Sequence, residues 1–289
     1  MVQRDVLETI TPRRAALVVP ASSERMLAKA RSLAVDELVL DLEDGVAPAD
    51  KHRARELAGA WLSAAEDRAA GTVAVRVNGA DTPDFAQDLE ALRAWPAAAD
   101  SVVLPKAESV AALDRLPEDV PVQLLIESAR GLLAAQELCG LPSVCAVILG
   151  YADLCASLGR PTTEIADPTA WASAQDHLVT CARAAGIQAI DGPVLALDDA
   201  SLPARAAAWG RRRGFDGKWV IHPGHVKAVT AAFTPSPDEV AAAAALLDSL
   251  AAAEAAGSGA ARHDGMMIDE ALRRSAQQTL ARAGRTRDA

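Results

Sequence analysis

No stretch of this chain is both apolar and long enough to cross a bilayer, and its first residues, MVQRDVLETITPRR, hold no hydrophobic signal core. Those absences lead to the expectation of a cytoplasmic protein that does not engage membranes. A dense Lys/Arg cluster is also missing and the formal net charge is −10, which argues against nucleic acid as a partner, because phosphate neutralisation needs concentrated positive charge. The short GRRRGF at 210–215 reads as a solvated helix end that at most could meet a phosphate. Four cysteines, Cys139, Cys145, Cys155 and Cys181, form no C-x-x-C pair and no metal-finger spacing, so reduced structural thiols are expected. The G-x-x-x-x-G-K-[ST], strand-G-x-G-x-x-G and G-x-S-x-G signatures are absent. Nucleoside triphosphate chemistry, dinucleotide redox and serine hydrolysis therefore lose their usual signals.

What the chain does contain is repetition. Its 289 residues are 51% hydrophobic and 24% charged, enough for one large core with an appendage. Eight apolar runs of strand length, many β-branched, each end in a Pro, Gly or polar cluster: 15–20, 37–43, 73–77, 101–105, 122–127, 144–149, 187–191 and 217–222. Segments with helical spacing lie between most of them, such as 25–34, 51–65 and 170–185. Alternation of this kind implies parallel strands joined by crossover helices. Eight repeats in a chain of this length predict an α/β fold, a closed (β/α)8 TIM barrel.

In such a barrel the C-terminal strand ends converge on one face, where active sites of this fold sit. Here those ends carry Ser22, Glu43, Asp44, Arg76, Asn78, Lys106, Glu127, Asp153, Asp191 and His222. Beyond residue 232 the pattern changes. FTPSPDEV predicts a loop, then a helix opening at Ser236-Pro237 and running to about 256; GSGAARHDG has linker composition; and MMIDEALRRSAQQTLARAG resumes helical spacing through Ile268, Leu272 and Leu280. The expected organisation is a barrel over 1–232 and a C-terminal helical extension over 233–289, whose Gly/Ser linker tethers a tail able to cover a site.

Glu127 taken alone reads as a solvated strand end. It gains chemical meaning because Asp153 closes the next strand, and two adjacent carboxylates repel unless a cation lies between them. Hard oxygen ligands with few protein contacts suit Mg2+, with Mn2+ possible, although Asp153 also fits a plain helix N-terminus. Arg76, alternating with Val75 and Val77 at a strand end, offers a guanidinium fork for a carboxylate or forms a structural ion pair with Asp41, Glu43 and Asp44. Lys106 reads as a supporting electrostatic group rather than a Schiff-base lysine, since nothing in its neighbourhood lowers its pKa. His222 is either a base or ligand or a hydrogen-bonded structural residue, and His177 is an ordinary helix-surface histidine.

Taken together, VVPASSERMLAKA, LVLDLEDGVAPADKHRAR, VAVRVNG, VVLPKAES, LLIESARG, ILGYADLCASLG, AIDGP and FDGKWVIHPGHVKAVTAAFTPSPDEV resemble, in order, the HpcH/HpaI aldolase and citrate lyase beta-subunit family, in its acyl-CoA lyase branch. The resemblance implies Mg2+ on Glu127 and Asp153 and a substrate 2-oxo-acid portion on Arg76. It also implies CoA, as part of the substrate, near Lys29, and Asp269 as an acid/base carried by the tail, with Glu43, Asp44 and Lys106 in support. The implied reaction is reversible cleavage of a 3-hydroxyacyl-CoA such as malyl-CoA or citramalyl-CoA to glyoxylate or pyruvate plus acyl-CoA, in a homo-oligomer, trimer or hexamer. Alternatives within the resemblance are a malyl-CoA thioesterase, a citrate lyase beta-like subunit needing an acyl-carrier partner, and an aldolase for free 2-oxo acids. Ser23, Tyr151 and Met266 depart from the common family pattern. Tyr151 either sets a phenol beside the metal site, narrowing the pocket, or packs sideways into the helix layer.

Overall fold

The computed structural model describes residues 11–64, 68–95 and 98–284. Arg13–Phe233 form one compact unit, and the described residues from Thr234 onward belong to a second. In the first unit, eight parallel strands close into a barrel in sequence order: β1 (Ala15–Pro20), β2 (Glu37–Asp41), β3 (Thr72–Arg76), β4 (Ser101–Leu104), β5 (Val122–Ile126), β6 (Val144–Leu149), β7 (Gln188–Asp191) and β8 (Gly217–Val220). Each strand is followed by a helix: α1 (Glu24–Ala30), α2 (Lys51–Ser63), α3 (Pro83–Ala94), α4 (Val110–Leu113), α5 (Ala129–Cys139), α6 (Tyr151–Ser157) with α7 (Ala172–Ala185) after β6, α8 (Leu202–Arg212) and α9 (Pro223–Phe233). Most strands stop one or two residues before the predicted ends. Glu43, Glu127 and His222 therefore stand just beyond the ladder, where their polar ends need not be paired.

The period-2 alternation of the strands sorts the barrel interior into layers. The middle layer is apolar: Ala16, Val39, Ala74, Val103, Leu125, Ala146, Ile148, Ile190 and Trp219. Two residues toward the N-terminal end, on the same faces, lies a polar layer that the sequence reading missed. There Gln123 Nε2 donates to Glu37 Oε1 and to Ser101 Oγ, each at 2.8 Å, and Arg13 Nε donates to Glu37 at 2.7 Å. Two residues toward the C-terminal end, the same faces carry Asp41, Arg76 and Glu127. The outward-facing strand residues pack against the helices in a second, larger apolar cluster.

One buried network outside the barrel braces the mouth. Asp88 of α3 is fully buried; it accepts from Arg55 Nε of α2 at 2.7 Å and from the Asn78 backbone N–H and Nδ2 at 2.6 and 2.7 Å. Asn78 Oδ1 in turn accepts from Lys51 Nζ at 2.6 Å, and the same ammonium donates to the carbonyls of Leu42 and Glu43 at 2.7 and 2.8 Å. The loop carrying Glu43 is therefore tied to helix α2.

In the second unit, α10 (Pro237–Ala255) starts where predicted, with a full capping box between Ser236 and Glu239. The next segment differs from expectation. Instead of a linker leading straight into a helix, β9 (Ala261–His263) and β10 (Met266–Ile268) pair antiparallel before α11 (Glu270–Gly284). Asp264 and Gly265, with φ of 46° and 82°, make the two-residue turn that matches strand twist. Ile268 is consequently the buried end of a strand rather than a helical position.

Removing Asp88 tests the bracing network. Asp88→Ala leaves Arg55 Nε and the Asn78 backbone N–H and Nδ2 without their acceptor in a buried site, and urea unfolding should show a loss of about 3–5 kcal/mol. Asp84→Ala, at the more exposed end of the same arginine, should cost less than about 1 kcal/mol.

Candidate active site

The barrel mouth gathers most of the predicted site residues. Arg76, at the end of β3 and about nine-tenths buried, donates from Nε and Nη2 to the two carboxylate oxygens of Asp41, both at 2.7 Å. Its Nη1 lies 2.7 Å from Glu43 Oε2 as an ion pair without hydrogen-bond alignment. The guanidinium carbon stands 5.5 Å from the Trp219 ring, which floors the site. Burial opposes the charge on Arg76, but Asp41 and Glu43 more than offset it and raise its pKa further. The structural ion pair expected for Arg76 is thus present with Asp41 and Glu43. Asp44 turns outward and meets Lys106 Nζ at 3.9 Å instead.

Lys106 connects the two sides of the mouth. Its ammonium contacts Glu43 Oε1, and its backbone N–H donates to Glu127 Oε1 at 2.8 Å. To present that N–H the backbone adopts φ 49°, a left-handed conformation costing a non-glycine residue on the order of 1–3 kcal/mol.

Glu127 follows β5, 4% exposed, with this backbone donor as its hydrogen-bond partner. Its pKa is pushed up to about 8, first by burial and then by the negative charge of Glu43; the backbone hydrogen bond from Lys106 works against this, and Asp153 adds a lesser push upward. Glu43 is also raised, chiefly by burial, despite Arg76 and Lys106. Asp153, half-buried in the first turn of α6, belongs to the next repeat and reaches the same charge field. Between them Gly150 leaves a gap that no other residue could: an added Cβ would fall 2.6 Å from Glu127 Cβ and 2.9 Å from Oε2.

These residues fit a hard divalent cation. The donors are carboxylate oxygens, and the cluster carries negative charge that its own cations do not fully compensate. Among the described residues no group of three or more His, Cys, Asp or Glu closes into a cage, so a cation on Glu127 and Asp153 would keep positions for water or ligand oxygens.

Several predicted residues lie elsewhere. Asp191 does not face the mouth: Ile190 is the inward residue of β7, so Asp191 points outward under the helices and pairs with Lys218 Nζ at 2.6 Å. Tyr151 takes the sideways alternative. It is buried in the helix layer with its hydroxyl on Asp191, and no phenol stands beside Glu127. His222 is exposed, its Nδ1 accepting from Gly224 N–H at 3.1 Å, which is the structural role. His177 is exposed on α7, 2.8 Å from the Leu132 carbonyl. Lys29 lies on the solvent face of α1 and takes no part in the cluster. In the second unit, Asp269 caps the start of α11, its Oδ1 accepting from Ala271 N–H at 3.0 Å. The four cysteines are free, and burial pushes the Cys139 thiol up to about 12.

Comparison with known proteins identifies the family of the chain. The family model described as HpcH/HpaI aldolase/citrate lyase matches residues 14–223. A (3S)-malyl-CoA thioesterase of Cereibacter sphaeroides is 37% identical, the match covering 94% of this chain and 95% of the relative. An L-malyl-CoA/beta-methylmalyl-CoA lyase of Rhodobacter capsulatus is 32% identical, with 93% and 94% covered. Among solved structures, CitE of Mycobacterium tuberculosis in complex with magnesium, acetoacetate and coenzyme A superposes with a TM-score of 0.79 at 33% identity, covering 94% of this chain and 98% of that one. With a closed eightfold barrel, a family model spanning most of its length and relatives aligned end to end, the chain belongs to the HpcH/HpaI aldolase/citrate lyase family.

Proposed function

We propose that this chain is a Mg2+-dependent carbon–carbon lyase that cleaves, or forms, a 3-hydroxyacyl-CoA such as malyl-CoA or citramalyl-CoA, yielding glyoxylate or pyruvate plus an acyl-CoA. The observation that carries the reading is Glu127: a buried carboxylate set against Glu43 and Asp153 beside a buried arginine. Glu127 and Asp153 hold the cation, for which Mn2+ is an acceptable substitute. A bound Mg2+ supplies Lewis acidity at the oxygens of the 2-oxo-acid portion.

Arg76 orients the substrate carboxylate or carbonyl with the donors that Asp41 leaves it, and shares the charge that develops when the carbon–carbon bond breaks. Glu43, Asp44 and Lys106 keep that guanidinium and Glu127 in place. Lys29 meets the CoA portion. Residues 233–289 form the extension that delivers Asp269, which takes the acyl-CoA α-proton in synthesis and returns it in cleavage. The chain works as a homo-oligomer, trimer or hexamer, in the cytoplasm; among the described residues no helix is long and apolar enough to cross a membrane.

A second reading is supported by one observation: the thioesterase relatives are 35–37% identical, above the 32% of the lyases. In that case water would attack the thioester of a similar ligand.

Mass-spectrometric product analysis on malyl-CoA and citramalyl-CoA separates the two. The lyase reading expects glyoxylate or pyruvate with acetyl-CoA, abolished by EDTA and restored by Mg2+; free hydroxy acid with CoA overturns it in favour of hydrolysis. Asp269→Asn should lower kcat by about 10²–10⁴-fold with KM little changed, and normal turnover would remove Asp269 from the mechanism.

The raised Glu127 pKa sets the pH dependence. Its folded value, about 8, lies above that of an ordinary glutamate, so its contribution to metal-free stability is present at low pH and lost as pH rises through about 8. A cation must displace that proton. Mg2+ affinity measured by calorimetry should therefore rise about tenfold per pH unit below pH 8 and level off above it.

A further inference from the structure

Helix α6 carries Asp153 in its first turn but has little local means of holding that turn still. It spans seven residues, and its N-cap, Gly150, has no side chain to cap the free N–H groups. The restraint comes from its first residue. Tyr151 is 5% exposed, and its hydroxyl donates to Asp191 Oδ1 of β7 while accepting from Gln175 Nε2 of α7 at 2.7 Å.

Both partners are themselves fixed. Asp191 Oδ2 accepts from Lys218 Nζ of β8 at 2.6 Å, and its Oδ1 also accepts from the Gly192 N–H at 3.0 Å. Gln175 Oε1 accepts from Trp209 Nε1 of α8 at 3.0 Å. The ring rests on Gly192, where an added Cβ would fall 2.6 and 2.7 Å from its carbons. One strand and one helix thus meet directly at the hydroxyl oxygen, and a second strand and helix brace the two partners.

We infer that Tyr151 is a positioning residue whose clamped hydroxyl locks the first turn of α6 and so holds Asp153 toward Glu127 as a ligand for the divalent cation, an inference that rests on the metal reading above. A phenylalanine would fill the same space, but apolar packing has no direction. The hydroxyl sets the rotation of the ring, and with it the backbone two residues before Asp153. Groups that orient a metal ligand in this way are worth about 10–100-fold in metal affinity.

The test is Mn2+ titration of the full chain by electron paramagnetic resonance of the free ion, at a temperature well below unfolding, with metal-free melting measured alongside. Wild type is compared with Tyr151→Phe, Gln175→Met and Glu127→Gln. Support requires that Glu127→Gln lose Mn2+ and that Tyr151→Phe bind it about tenfold more weakly or worse, with Gln175→Met between Tyr151→Phe and wild type. If Glu127→Gln loses Mn2+ while Tyr151→Phe and Gln175→Met bind within about twofold of wild type, whatever their melting temperatures, the hydroxyl is structural only and the inference fails alone. If Glu127→Gln binds Mn2+ like wild type, the metal site itself is overturned and the inference falls with it. Should one tyrosine-network variant fail to fold, the other carries the same comparison.

Discussion

A carboxylate buried at the end of an apolar strand must find positive charge or keep its proton, and this barrel mouth holds more carboxylates than its cations can serve. Arg76 is committed to Asp41 and Glu43, and Lys106 to Glu43 and Asp44. Glu127 is left with one backbone N–H. In the metal-free chain a proton fills the deficit, which is why its pKa climbs to about 8. A divalent cation between Glu127 and Asp153, as proposed above, would fill it better, because two charges that repel each other would then share one partner.

The rest of the unit keeps that imbalance from relaxing. Lys51, anchored through Asn78, Asp88 and Arg55, ties the Glu43 loop to helix α2. The left-handed turn at Lys106 aims an N–H at Glu127 at a cost in backbone strain, and Gly150 omits the side chain that would push Glu127 aside. Below these charges, the apolar middle layer excludes water from the floor and strengthens every interaction above it.

The fold was legible because its signal was repeated eight times, and each apolar run ended in a breaker. The pair Glu127 and Asp153 was legible for a related reason: consecutive strand ends in a parallel barrel are neighbours. Other residues were not. Asp191 ends a strand of four residues, too short for alternation to reveal that Ile190, not Asp191, faces inward. Glu37 opens one apolar run behind Asp36 and Gln123 sits inside another, and only the closed ladder shows that they meet Arg13 and Ser101 as a polar layer. The β9–β10 hairpin hid in a segment of linker composition, its Asp-Gly turn lying among short strands with little hydrophobic alternation.

Sequence alone determined the barrel, the end of it where charged residues gather, and the residue types found there, because strand parity and breaker spacing are local properties that survive without coordinates. Tertiary structure decided which charges pair with which, that Glu127 is the one left over, and that Tyr151 turns away from the mouth to grip Asp191. Those outcomes depend on distances between residues 20 to 40 positions apart in the chain, set by barrel register and helix packing, for which no local pattern carries the information.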